Sequence, residues 1–152
     1  MGRVVPSGDA VDFWDRPEVA LDRAAALGCD SFRLSIEWAR VMPRCGVVDR
    51  AALDRYRTIV DGCLDRGLTP LVTLHHFTNP DWLGEDLWLR PDGPARFAAY
   101  ARVVVAALAP AVRHWVTLNE VNVLALMTYV LGAFPPARPV GATDPRPASP
   151  GW

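Results

Sequence analysis

Three stretches of the chain carry the apolar patterning of strands, and segments of helical spacing separate them. Ser31 to Trp38 alternates, with Phe32, Leu34 and Ile36 on one side and Arg33, Ser35 and Glu37 on the other. Thr69 to His75 is the second stretch. The third ends at Asn119 and Glu120, and Val112, Trp115, Val116 and Leu118 give it the β-branched and aromatic character of a strand buried on both faces. Pro17 and Glu18, preceded by Asp15, predict a helix start. Val19, Ala20, Ala24 and Leu27 would form its apolar face, and Gly28 its stop. Asp49 is placed to cap a second helix, with Leu53, Tyr56, Ile59, Val60, Cys63 and Leu64 on its buried side and Gly67 closing it. Asp92-Gly-Pro94 opens a third, buried through Phe97, Tyr100, Ala101, Val104 and Leu108 and ended by Pro110. Val123 to Leu131 reads as a further apolar helix. Helices alternating with strands predict an α/β fold with a parallel sheet and right-handed crossovers. Residues 1–14 read as a loop packed down by Phe13 and Trp14. The proline-rich stretch 135–152 reads as a tail, loop or disordered, outside a folded unit of residues 1–134.

Composition narrows the function classes. Of 152 residues, 51% are hydrophobic and the formal charge is −1, which argues for a globular protein and against disorder or a nucleic-acid partner. The longest nearly apolar run, Val121 to Phe134, is too short to span a bilayer, so no membrane association is expected. No basic leader with an apolar core opens the chain, which predicts no secretion signal and a cytoplasmic location. Cys29, Cys45 and Cys63 are odd in number and lack metal-ligand spacing; they read as reduced thiols, Cys29 and Cys63 buried. A zinc site from the cysteines with His75 and His76 is the weaker reading. A doubly wound nucleotide-binding sheet would need a glycine-rich turn after a strand, and none occurs.

Each strand stretch ends in polar or aromatic residues: Glu37 and Trp38, then His75 and His76, then Asn119 and Glu120. In a parallel β/α array these ends point the same way and build one mouth, where barrel enzymes keep their chemistry. Plainer readings stand beside this one. Arg33 could pair with Glu37 or Asp30, His76 could be a satisfied core histidine, and Trp38, Trp82 and Trp115 could simply pack. His75 reads as structural and His114 as a surface connector.

Phe32-Arg-Leu-Ser-Ile-Glu-Trp-Ala-Arg-Val-Met-Pro43, Thr73-Leu-His-His-Phe-Thr-Asn-Pro80 and Trp115-Val-Thr-Leu-Asn-Glu120 resemble, in order and spacing, the motifs of family 1 glycoside hydrolases. These are retaining β-glucosidase- and β-galactosidase-like enzymes on a (β/α)8 barrel, and the resemblance covers roughly residues 12–135. It implies a partial barrel, about strands 2–4 with their helices. It implies Glu120 as general acid/base, and Asn119 as the residue that bonds the sugar 2-hydroxyl and the nucleophile. His76 would bind a glycone hydroxyl, Phe77 stands where a tryptophan is common, and Arg33 would sit beside the nucleophilic carboxylate. Trp38 is kept as a candidate sugar platform. The substrate implied is a β-glycoside or oligosaccharide, with no metal and no organic cofactor, because carboxylates play both chemical roles.

The pattern also departs from the family. Val121 replaces the proline usual after the acid/base. No counterpart of the strand carrying the family's glycone-binding glutamine precedes the first motif, and the T-E-N-G-like nucleophile motif is absent. The expectation is therefore a truncated fragment, inactive alone, with open barrel edges prone to self-association. The alternative is a non-catalytic carbohydrate-binding or structural remnant of the same barrel.

Overall fold

The computed structural model describes residues 11–84 and 86–134; the proline-rich stretch 135–152 and most of the N-terminal loop lie outside them. Strands β1 (Ser31–Ser35), β2 (Thr69–His75) and β3 (His114–Leu118) form a parallel sheet in the order β1-β2-β3. Helices α1 (Pro17–Ala26), α3 (Arg50–Leu64) and α4 (Gly93–Leu108) alternate with them. A one-turn helix α2 (Trp38–Val41) follows β1, and short 3-10 turns at Asp81–Leu83 and Leu87–Leu89 precede α4. The predicted alternation of elements is thus present.

Local chemistry explains the boundaries. The Asp49 carboxylate accepts a hydrogen bond from the Ala52 backbone N–H at 3.0 Å and satisfies one of the free donors at the start of α3. Gly67 ends the turn after α3 at φ +71°, a conformation that penalises any residue with a Cβ. Gly93 serves another purpose at the start of α4: a Cβ there would lie 2.3 Å from the Leu87 carbonyl oxygen, so only glycine lets the Leu87 turn close onto the helix.

The core lies between the sheet and α1, α3 and α4. Leu34, Ile36, Val72 and Leu74 meet Leu21, Leu53, Tyr56, Ile59, Val60, Tyr100, Val104 and Leu108. Tyr100 is fully buried, and its hydroxyl lies 2.9 Å from the Leu74 carbonyl oxygen and 3.2 Å from that of Ile36. One hydroxyl proton thereby serves the ends of both β1 and β2. Burial raises the Tyr100 pKa well above the ordinary phenol value, so the donor is always present. Tyr100→Phe leaves these carbonyls without their shared donor and is expected to cost about 1–3 kcal/mol. Urea unfolding measures this, and an unchanged midpoint would show that the bond contributes nothing.

Several expectations are corrected. The inner face of α1 is Pro17 and Leu21, whereas Val19 and Leu27 are exposed, because the helix is rotated to set Leu21 against α3. Leu64 is exposed at the end of α3, and Cys29 is exposed just past the Gly28 turn, while Cys63 is buried. Burial pushes the Cys63 thiol up to about 11, which makes it an unreactive apolar group. His114 is the first residue of β3 rather than a connector. β3 is only half-buried, since among the described residues it pairs with β2 alone. The apolar segment after Glu120 is not one regular helix: Val121–Ala125 (α5) is α-helical and Leu126–Val130 is π-helical.

Candidate active site

Arg33 and Ser35 of β1, and Glu37 just after it, each find a partner at or near β2. Ser35 and Thr73 are register partners in the parallel ladder. Arg33 Nε donates to Thr73 Oγ1 at 3.0 Å. Ser35 Oγ and His76 Nδ1 are 2.9 Å apart. The Thr78 hydroxyl donates to the Glu37 carboxylate at 2.7 Å. Three cross-links therefore join the two strand ends, one for each polar position of the β1 alternation. The Glu37 backbone N–H also donates to the Tyr56 hydroxyl at 2.8 Å, and burial pushes that phenol up to about 12.

The third strand end is tied in through Arg33, whose guanidinium also donates to Asn119 Oδ1. The sheet hydrogen bonding continues past β3, with the Asn119 N–H on the His75 carbonyl at 2.9 Å. Arg33 thus reaches from β1 across β2 to the residue before Glu120. Its partners are a hydroxyl and an amide, which corrects the reading of an ion pair with Glu37 or Asp30.

Glu120 adopts φ +43° and ψ +57°, a left-handed conformation that costs a non-glycine residue about 1–2 kcal/mol. It is exposed. Among the described residues no strand lies beyond β3 to cover it. Val121, at the position where the family commonly has proline, begins α5 and is exposed. Phe77 is also left-handed, at φ +72°, and its ring meets His76 edge-on at 5.1 Å and Phe134 at 5.5 Å. His76 is exposed at the mouth, so it is not a core histidine.

Trp38 is 1% exposed and stacks on Tyr100 with centroids 4.7 Å apart and planes 13° apart. Its ring has no free face, which removes it from the candidate sugar contacts. The alternation that places Glu37 at the mouth turns the next side chain into the core, and α2 begins there.

His75 is buried and structural. Its Nε2 bonds Asn79 Oδ1 at 3.0 Å, and its ring packs against Trp88 and Phe97. Burial lowers its pKa below the ordinary histidine value. Below the unfolded value near 6.5, the unfolded chain gains a proton that the folded chain refuses, so stability falls as pH drops through that range. The expected slope approaches roughly 1.4 kcal/mol per pH unit until the folded value is reached. Urea midpoints at pH 7.5 and 5.5 measure it, and His75→Gln should flatten the difference. An equal difference in that variant would reject the assignment.

Sequence reasoning missed Thr73 and the Ser35–His76 and Glu37–Thr78 links. The signals for Thr73 were a hydroxyl inside the apolar run of β2 and its place at the start of the second motif, and neither showed its partner; the structure buries it completely. Among the described residues no cluster of His, Cys, Asp and Glu could hold a metal ion, and no helix is long and apolar enough to cross a membrane.

Comparison with known proteins places this geometry. The family model for glycosyl hydrolase family 1 matches residues 5–146, and so extends into the proline-rich stretch. A coniferin β-glucosidase of Pinus contorta is 37% identical over 143 residues, 90% of this chain and 28% of that protein. A cytosolic β-glucosidase of Homo sapiens is 38% identical over 116 residues, 74% of this chain and 25% of that protein. In three dimensions a rice β-glucosidase superposes with a TM-score of 0.82 at 35% identity, over 86% of this chain and 28% of the rice chain. The β-glucosidase BglU of Micrococcus antarcticus gives 0.80 at 36% identity, over 84% and 28%. The chain thus spans between a quarter and a third of the length of these relatives, and its parallel three-stranded sheet with helices is a partial (β/α)8 barrel. With the family match covering nearly all of its residues, the chain belongs to glycosyl hydrolase family 1.

Proposed function

We propose that this chain supplies the acid/base half of a retaining β-glycosidase site, β-glucosidase-like in type, acting on a β-glycoside or oligosaccharide. The observation that carries the reading is the pair Asn119–Glu120 at the end of β3. Asn119 is tied to Arg33, and Glu120 is held in a strained left-handed conformation with its carboxylate exposed at the mouth. Strain of this kind in a non-glycine residue is a mark of functional positions.

The glycosidic oxygen is a poor leaving group until it is protonated, and Glu120 is the group that protonates it and later removes a proton from the attacking water. Asn119 and His76 take hydroxyls of the sugar at the reacting position, with Phe77 beside them. Arg33 stands next to the second carboxylate, which accepts the anomeric carbon and must lie about 5–5.5 Å from Glu120. No T-E-N-G-like sequence occurs in these 152 residues, and Glu37 is engaged by Thr78. The nucleophile therefore comes from outside this sequence, and the chain alone does not turn over substrate. The edges of β1 and β3, each paired on one side only among the described residues, are where further barrel strands or other copies of the chain add. The location proposed is cytoplasmic.

Aryl β-D-glucoside, galactoside and fucoside are the test substrates. The chain is assayed alone and mixed with the segment of the Micrococcus antarcticus relative that this chain does not match. Turnover only in the mixture supports the proposal. Turnover by the chain alone, lost in Glu120→Gln, would show that the site completes itself. A folded chain that neither turns over nor complements would refute the reading.

A further inference from the structure

We infer that Thr73 is a positioning residue, which acts through Arg33 to fix the amide of Asn119 with its NH2 group turned to the substrate. The inference rests on the reading of Asn119 as a sugar-facing residue.

Thr73 sits on β2, the central strand, between the strand that carries Arg33 and the strand that leads to Asn119. It is 0% exposed. A polar side chain buried this fully in an otherwise apolar run needs a partner, and its Oγ1 accepts from Arg33 Nε at 3.0 Å. A second nitrogen of the same planar guanidinium donates to Asn119 Oδ1. Two anchored donors on a rigid planar group determine its orientation, whereas one would leave it free to swing about the remaining bond.

The consequence for Asn119 follows from the donor inventory. Guanidinium has donors only, so the amide must face Arg33 with its oxygen. The Nδ2 hydrogens then point away from Arg33, and Asn119 meets a ligand chiefly as a donor. A donor suits the oxygen of a sugar hydroxyl or of a carboxylate. The hydroxyl of Thr73 thus sets, at one remove, the hydrogen-bond polarity of the site. Neither the apolar pattern of β2 nor the motif Thr73 belongs to assigns it such a part.

Nitrogen–proton NMR spectra of the full chain test the idea without requiring turnover. Thr73→Val keeps the shape and loses the acceptor, and Thr73→Ser keeps the acceptor and loses a methyl group. Arg33→Lys and Asn119→Asp identify the two side-chain signals by removing them. In wild type and Thr73→Ser the Arg33 Nε proton should exchange slowly and the Asn119 NH2 pair should keep its shifts. In Thr73→Val the Arg33 proton should exchange roughly fivefold faster, the factor that corresponds to losing one ordinary hydrogen bond. The Asn119 pair should move with it. A purely packing role predicts the reverse ranking, with Thr73→Ser the more perturbed. Unchanged Arg33 and Asn119 signals in Thr73→Val would overturn the inference, as would their loss in Thr73→Ser. If Thr73→Val does not fold, Thr73→Ala takes its place with the same expectation. A chain that shows the expected signals but supports no hydrolysis, either alone or mixed with the complementing segment, would refute the proposed function and leave the role of Thr73 standing.

Discussion

On the proposed function, Glu120→Gln is expected to lower turnover of alkyl β-glucosides by roughly 10²–10⁴-fold in the complemented enzyme, the usual weight of a positioned general acid/base. The carboxamide has the shape of the carboxylic acid and keeps the left-handed backbone position, since the substitution leaves the Cβ unchanged. It has no proton to give at neutral pH. The loss must therefore depend on the leaving group. A dinitrophenolate departs without protonation, so formation of the glycosyl-enzyme from such a substrate should be nearly unaffected, and a burst should appear before the slowed second step. Steady-state rates across aglycones of rising pKa, with pre-steady-state bursts on the activated ones, measure both halves. A loss of equal size for all leaving groups would remove Glu120 from the acid role. Glu120→Gly offers a control on the strain. Relative to Glu120→Ala it should be more stable by about 1 kcal/mol, because glycine takes the left-handed region without penalty.

Trp38→Ala is expected to destabilise the chain by about 3–5 kcal/mol, a large share of the 5–15 kcal/mol that holds ordinary domains together. The indole is buried, stacked on Tyr100 and edge-on to Phe97 at 6.0 Å. Tyr100 in turn holds the carbonyls at the ends of β1 and β2, so a cavity at Trp38 also loosens the strand ends that carry the mouth. Trp38→Phe should cost less than about 1.5 kcal/mol. It keeps most of the apolar contact and removes an indole N–H that has no partner among the described residues. Thermal unfolding of the two variants gives the ranking. A Trp38→Ala chain of unchanged stability but weakened sugar binding would restore Trp38 as a substrate platform and reject its place in the core.

The positions of strands and of the long helices followed from the sequence because their signals are local. Alternation in Ser31–Ser35, the Asp49 cap, the Asp92-Gly-Pro94 start and the Gly28 and Gly67 stops each act within a few residues. The strand ends could be read from the sequence for a related reason: ends in a parallel array share a direction, so Glu37 and Trp38, His75 and His76, and Asn119 and Glu120 were expected together, although Trp38 and His75 are buried. Rotations and partners were not legible. Whether Val19 or Leu21 faces inward on α1 depends on where α3 lies, and both fit a helical pattern. Trp38 continues the inward side of the β1 alternation, but that its ring stacks on Tyr100 depends on where α4 packs. The bond from Thr73 to Arg33 joins residues 40 positions apart, and the bond from Arg33 to Asn119 spans 86. Sequence alone determined which side chains are delivered to the ends of the strands. Only the tertiary structure decided which of them touch, because donor and acceptor are brought together by sheet register, a property of the paired strands and of neither one by itself.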